Sequence, residues 1–555
     1  MIQVKSEILR KDPMPIMTTN VLESDPVRKL SRLVAESLRA TSESAKYFLE
    51  PTPGVLGKAK GKRHHIIFGR RGSGKSSLLH KVAADLTVDR SPIAYVDLEA
   101  FKGHSYPDVL LSVLIKCFSE IKTWLDTAAT NPASKTSFWE KLFGSTPTKG
   151  AFNRKETLEL SINKFLQMIE ELNGLLFQAE EAVRKDSQRS ESAAETKASA
   201  SIEVKAVMPV GAKTELSALA KDADFRESHT EYTSRKIEAL HRNIMRYQIL
   251  FRELTKLAGG PAFLLLDDLY HIRLADQAEI IDYFHRIAKG TDLWLKIGTI
   301  RHRSRWYYFG NPSKGMKLGD DADEIDLDVT LEKYQLTGQF LLRILGQFAK
   351  DSQVSLDEIL ADGGKARLVL ASGGVARDFL TIFSRSIEVA KERVPRGDLA
   401  RGPKIGSEDV NVAAGELGQY KEEEFSRDTG TEDRDRLQSI SSSIFEFCTE
   451  RTKANCFLVE KDVSNETTAG INELIDLKFL HRARSRVTVR NRVGRLYDAY
   501  MLDLSRYTGE RARRNFEIVK FWEKGSDDTL RRANLIFFER PLKVAIARQH
   551  LTPSD

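Results

Sequence analysis

Apolar residues along the chain fall into two kinds of pattern. Short unbroken blocks end at glycine or acidic residues: Ile66-Ile67-Phe68 before Gly69, "SPIAYVDLE" at 91–99, Ala262 to Leu266 before Asp267 and Asp268, and "LWLKIGTI" at 293–300. Such blocks read as buried strands. Between them, apolar residues recur at helical spacing over Pro26 to Leu38, Ser76 to Leu86 and 275–288. Strands alternating with helices predict an α/β fold on a parallel sheet.

Two longer stretches carry a different period. Leu158, Ile162, Phe165, Ile169, Leu172, Leu176, Ala179 and Val183 are spaced by alternating fours and threes over Thr157 to Lys185. Ile237, Leu240, Ile244, Tyr247, Phe251, Leu254 and Ala258 repeat the seam over 232–258. Two heptad helices joined by one connection predict an antiparallel coiled-coil hairpin, each arm about 40 Å long at 1.5 Å per residue. The Ser/Ala/Lys-rich tip from 187 to 222 alternates Ile202, Val204, Ala206 and Met208 before a Pro-Val-Gly turn. This reads as a solvated connector holding one short hairpin, or as an arm that binds a protein partner.

A chain of 555 residues exceeds one core and predicts roughly three or four domains. Its net charge of +7 is modest for that length, so the placement of basic residues says more than their number. Cys117, Cys448 and Cys456 lack metal-like spacing and read as reduced core residues. No apolar run approaches a membrane span, and the first residues lack a signal-peptide pattern, so the expectation is a cytoplasmic protein away from membranes.

Chemistry enters at "GRRGSGKSS". Gly69, Gly72 and Gly74 with Lys75 and Ser76 fit G-x-x-x-x-G-K-[ST], where side-chain-free positions let backbone N–H groups close around phosphate oxygens. A helix starting near Lys75 adds its positive end to the same anion site. Gly69, Arg70, Arg71, Gly72, Ser73, Gly74, Lys75, Ser76 and Ser77 are therefore expected to line ATP, with Lys75 on the β/γ phosphates and the Ser76 hydroxyl on Mg²⁺. Asp267, delivered to the carboxyl end of its strand, is the second Mg²⁺ residue, and Asp268 is placed to polarise the attacking water. Thr299 or Arg301, at the end of the next strand, is expected near the γ-phosphate. Arg301, Arg303 and Arg305 are candidates for an arginine finger in trans or for surface ion pairs. Asp97 and Glu99 belong either to the ligand edge of the sheet or to the cap of the following helix.

Downstream, "LASGGVARDFL" and "KIGSEDVNVAAGEL" resemble the helical lid of AAA+ ATPases of the origin-recognition and replication-initiator group. The S-G-G of ABC-type ATPases is ruled out, because there it precedes the Asp-ending strand and here it follows. The resemblance implies that Arg377 is sensor two and a catalytic residue, alongside Lys75 and Asp268, and that nucleotide state is coupled to lid rotation. It extends to 436–505, which resembles the winged-helix domain of the same group, with helices at "LQSISSSIFEFCTE" and "SNETTAGINELIDLKFL" and a wing at "HRARSRVTVRNRVGRL". The implied order is an N-terminal helical segment at 1–50, an AAA+ P-loop core at 51–330 with the hairpin insertion at 150–258, a lid at 331–420, a winged helix at 430–510 and an extension at 511–555. The resemblance covers roughly 45–110 and 260–505, and departs from the initiators in the Asp-Asp pair and the long arm.

Arg482, Arg484, Arg486, Arg490, Arg492, Arg495, Arg506, Arg511, Arg513 and Arg514 concentrate the positive charge of the C-terminal part. Alternation would set Arg482, Arg484 and Arg486 on one strand face, suited to the phosphates of double-stranded DNA. Winged helices also dock proteins, so both partners stay open. The leading expectation is an ATPase that assembles as a homo-oligomer on DNA, with a role in defence against mobile elements implied by the resemblance alone. The competing one is a slow nucleotide-switched scaffold. A small-molecule kinase fits less well, because no acceptor pocket is evident.

Overall fold

A computed structural model describes residues 21–88, 91–130, 156–177, 210–393, 402–428, 431–461, 466–490, 492–508, 515–523 and 527–537. By internal contacts the chain divides into two units, Ala40–Val329 and Met1–Arg39 with Thr330–Asp555.

The unit Ala40–Val329 is built on five parallel strands, β1 His65–Phe68, β2 Ile93–Asp97, β3 Ala262–Asp267, β4 Leu293–Thr299 and β7 Asp323–Asp326, in the order β2-β3-β4-β1-β7. A two-stranded ladder, β5 Tyr307–Tyr308 with β6 Lys314–Gly315, lies between β4 and β7 in sequence. The four strands expected from apolar blocks are present, and the strand period of two explains why those blocks are unbroken. Ile66, Phe68, Leu264, Leu266, Leu295 and Ile297 bury against one face, while Ile67, Phe263 and Leu265 bury against the other. The second face is covered by the helices Val55–Lys60 and Lys75–Val88.

The first face carries more helix than the heptads predict. Residues 156–177 and the helix Val210–Ala258 run antiparallel, as Lys164–Glu253 at 2.6 Å and Arg246–Glu171 at 2.8 Å show. They do not form a free two-stranded coil. Both seams merge with the helix Asp108–Thr130 and the sheet in one core, where the Phe118 ring meets Phe165, Tyr247 and Phe251 at 5.7, 5.1 and 6.1 Å. Helix also replaces the Pro-Val-Gly turn, since the second arm begins at Val210; Ile202, Val204, Ala206 and Met208 lie outside the described residues.

Lys296, in the middle of β4, is fully buried without a carboxylate partner among the described residues. Its ammonium donates to Gly61 O at 2.7 Å and Arg63 O at 2.6 Å and meets His65 Nδ1 at 2.9 Å. Burial lowers its pKa to about 7.

The other unit is helical over Asp25–Ser37, Tyr334–Asp351, Asp362–Ser372, Ala376–Arg393, Ser407–Asp428, Thr431–Glu446 and Glu466–Asp476. It ends in an antiparallel sheet of β8 Cys456–Glu460, β9 Leu480–Val487 and β10 Tyr497–Leu502, ordered β8-β10-β9. Its centre is ionic. Asp378 pairs with Lys478 at 2.8 Å and Lys421 at 3.4 Å, Lys421 with Asp503 at 2.9 Å, and Asp503 with His481 at 2.9 Å, all of them buried. Against this cluster, Gly373 at φ 58° packs so closely on His481 that a Cβ would lie 2.0 Å from the ring. Among the described residues no helix is long and apolar enough to cross a membrane.

Candidate functional site

The sequence stops β1 at Gly69 and restarts as helix at Lys75, so the intervening loop lies at the carboxyl edge of the sheet. Gly72 and Gly74 take φ of 88° and 100°, which a side chain rarely tolerates. Gly69 is required for space: a Cβ there would lie 2.2 Å from Ser73 Oγ. The loop is pinned to the sheet by Gly69 N–H donating to Thr299 O at 3.3 Å. Gly74 O accepts from Leu78 N at 2.8 Å, in the first turn of the helix.

Lys75 is 4% exposed. Its ammonium donates to Gly69 O at 3.0 Å, stands 4.0 Å from Asp268 Oδ1 and lies 5.7 Å from the centre of the Tyr270 ring. Ser76 and Ser77 follow in the first helical turn, half-buried. Ser73 Oγ is buried without a hydrogen-bond partner among the described residues. A buried, unpaired hydroxyl inside a loop of glycines is the kind of polar group that a bound anion's shell would satisfy.

Asp267 ends β3, 1% exposed, with Oδ1 accepting from Asp268 N at 2.9 Å and Oδ2 from Tyr95 Oη at 2.8 Å. Burial, followed by the charge of Asp267, raises the Tyr95 phenol above its usual range, so it stays a donor. The His80 ring stacks on Tyr95 at 4.4 Å, and burial lowers the imidazole's pKa, keeping it neutral. Asp268 adopts a left-handed backbone at φ 53°, a conformation that Asp tolerates better than most residues and that turns the chain sharply after the strand. A buried carboxylate and a hydroxyl at a loop of this shape are hard oxygen donors, the set that suits Mg²⁺ held partly by phosphate.

The strand order sets β4 between β1 and β3, so Thr299 ends between the loop and Asp267. Thr299 is fully buried, and its hydroxyl is hydrogen-bonded to Ser304. Arg301 lies over the Phe68 ring at 4.0 Å and is paired with Glu324 and Asp326, which draws it toward β7. Arg70 is likewise engaged: its backbone N–H and guanidinium donate to Asp328 at 2.9 and 3.3 Å and its guanidinium to Val329 O at 2.8 Å, so it ties down the segment that follows β7. Arg71 is half-buried in the loop. Arg303 lies 5.7 Å from the Tyr270 ring centre, and Arg305 is exposed. Asp97 caps the turn Leu98–Phe101 by accepting from Glu99 N at 2.9 Å, the structural one of the two roles open to it.

Arg377 belongs to the other unit. It opens the helix Ala376–Arg393 after Gly373 and Gly374, is half-buried, and precedes Asp378 of the ionic cluster.

In the C-terminal sheet, the expected arginine face is interrupted. Arg482 and Arg484 alternate on β9, but the register shifts opposite Ala499, and Arg486 takes φ 55°, so it leaves the alternation. Several neighbours have carboxylate partners far from them in sequence: Arg490–Asp528 at 3.0 Å, Arg495–Glu460 at 3.1 Å and Arg506–Glu422 at 2.9 Å. Arg492 is exposed, and Arg511, Arg513 and Arg514 lie outside the described residues.

Tyr95, His80 and Gly298 are the residues near the glycine loop that the motif does not announce. A Cβ at Gly298 would lie 2.6 Å from Asp267 Oδ1, so this position gives the carboxylate its space. No protein-family model matches the chain, and no curated protein matches it.

Proposed function

We propose that the protein binds ATP with Mg²⁺ at the loop 69–77 and hydrolyses it, as a P-loop ATPase of the AAA+ kind. The observation that carries this reading is the meeting of two distant segments: the Lys75 ammonium lies 4.0 Å from Asp268, the residue after Asp267, at the carboxyl edge of a parallel sheet. A buried ammonium beside a glycine loop supplies charge for transferring phosphates, and catalysis of phosphoryl transfer is mostly positioning and electrostatics. When bound, Mg²⁺ would neutralise phosphate charge between Ser76 and Asp267. Asp268 then orients water, with its carboxylate one methylene shorter than a glutamate, which favours slow turnover. Arg377 as a sensor, the lid at 331–420 and the winged-helix character of 430–510 rest on the sequence resemblance.

The test is ATP turnover and binding of a fluorescent ATP analogue by the intact chain. Lys75→Ala is expected to abolish both, and turnover unchanged in that variant would refute the site.

A second reading, a nucleotide-switched scaffold that holds protein partners, is favoured by one observation: the pairing of Arg490, Arg495 and Arg506 with carboxylates, which lowers the positive charge offered to DNA. Duplex DNA binding across a salt series separates the two. Phosphate contacts give a steep loss of affinity with salt, and protein docking gives no DNA binding.

A further inference from the structure

Tyr95 occupies a place for which the loop motif gives no reason. It lies on β2, next to β3, and its hydroxyl reaches the Asp267 carboxylate at 2.8 Å. Behind it stands His80, stacked at 4.4 Å and 26°, four residues after Ser76 on the same helix. On the far side, Gly298 leaves Oδ1 the room that a methyl group would take.

We propose that Tyr95, held by His80, is a positioning residue that fixes the rotation of the Asp267 carboxylate toward Mg²⁺; this rests on the nucleotide reading above. An ionised carboxylate has about four acceptor positions. Tyr95 Oη and Asp268 N occupy one on each oxygen, which leaves one on each for the metal's water shell. With the phenolic donor removed, one oxygen of a buried carboxylate loses its partner and the group is no longer held in one rotamer. The His80 stack ties the helix that presents Ser76 to Tyr95 on β2, whose hydroxyl in turn holds Asp267 at the end of β3, so the two metal-side residues share one brace.

The experiment titrates Mg²⁺ against a fixed concentration of fluorescent ATP analogue, on full-length wild type, Tyr95→Phe and His80→Ala, with a parallel series in EDTA. Tyr95→Phe is expected to raise the Mg²⁺ concentration at half-maximal binding roughly ten- to a hundredfold, the usual scale for losing a partner of a metal ligand. His80→Ala shifts it in the same direction by less, while metal-free nucleotide binding and the thermal midpoint stay near wild type. Equal Mg²⁺ midpoints in wild type and Tyr95→Phe, or an equal loss of binding in EDTA, would overturn the inference while leaving the nucleotide site standing. Absence of nucleotide binding by wild type would overturn the nucleotide reading itself and this inference with it.

Discussion

Gly298 and Asp267 meet on adjacent strands, and the contact leaves no slack. A methyl at 298 would stand 2.6 Å from Oδ1 and 3.2 Å from Leu79 Cδ1, both below ordinary contact. Either the carboxylate turns away from Tyr95 or β3 and β4 part locally, and overpacking of this kind costs about 1–3 kcal/mol. Gly298→Ala is therefore expected to lower the unfolding free energy by that amount and to weaken Mg²⁺-dependent nucleotide binding further than the stability loss explains. Gly260→Ala, where the added Cβ meets nothing within 4 Å, is the near-neutral comparison. At this scale, what the sequence reveals depends on range. The spacing of Gly69, Gly72, Gly74 and Lys75 is legible because the loop folds on itself. Tyr95 is not, because its partner lies 172 residues away, and neither is the commitment of Arg70 to Asp328 across 258 residues. Arg490, Arg495 and Arg506, near one another in sequence, likewise find their carboxylates at Asp528, Glu460 and Glu422.

Strands were legible as unbroken apolar blocks because both their faces are buried, and helices where one face stays wet. The heptad seams announce two arms because each has a wet face, but the first turns of the helix Asp108–Thr130 bury Val109, Leu110, Leu111, Val113 and Leu114 in a nearly continuous run, which masks the stripe that continues through Cys117, Ile121 and Leu125. That helix converts the expected coiled coil into a three-helix layer on the sheet. What holds the layer is apolar contact: the Phe118 ring sits among three aromatic rings, whereas the Arg246–Glu171 pair is close to half exposed on both sides. Removing a buried phenyl costs about 3–5 kcal/mol, and an exposed ion pair contributes about 0.2–1 kcal/mol. Urea denaturation should accordingly show Phe118→Ala destabilising severalfold more than Arg246→Ala. The reverse ranking would mean that charge, not packing, joins the arms.

For the chain as a whole, the division into two units is the feature least visible in sequence, since the helix Asp25–Ser37 belongs with residues beyond Thr330. Within that unit, the ionic cluster of Asp378, Lys421, Lys478, His481 and Asp503 ties the helices Ala376–Arg393 and Ser407–Asp428 to the end of β10. Burial alone would raise both carboxyls, but Lys421 and His481 at Asp503, and Lys478 and Lys421 at Asp378, outweigh it and hold both below their ordinary range. A carboxyl depressed on folding stabilises above its unfolded pKa, near 4, and that contribution drains away as pH falls through the lower folded value. The unit should therefore hold its stability toward pH 5 as far as these groups decide it, and lose it below about pH 4. Lys421→Met removes one cation between two buried carboxylates, a change that costs about 3–5 kcal/mol where a buried pair is broken. Because the cluster belongs to helices and sheet alike, hydrogen exchange should speed up together in Ala376–Arg393 and in β10. Loss of protection in β10 alone would show that the sheet hangs from the helices by other contacts, and that the cluster carries no force between them.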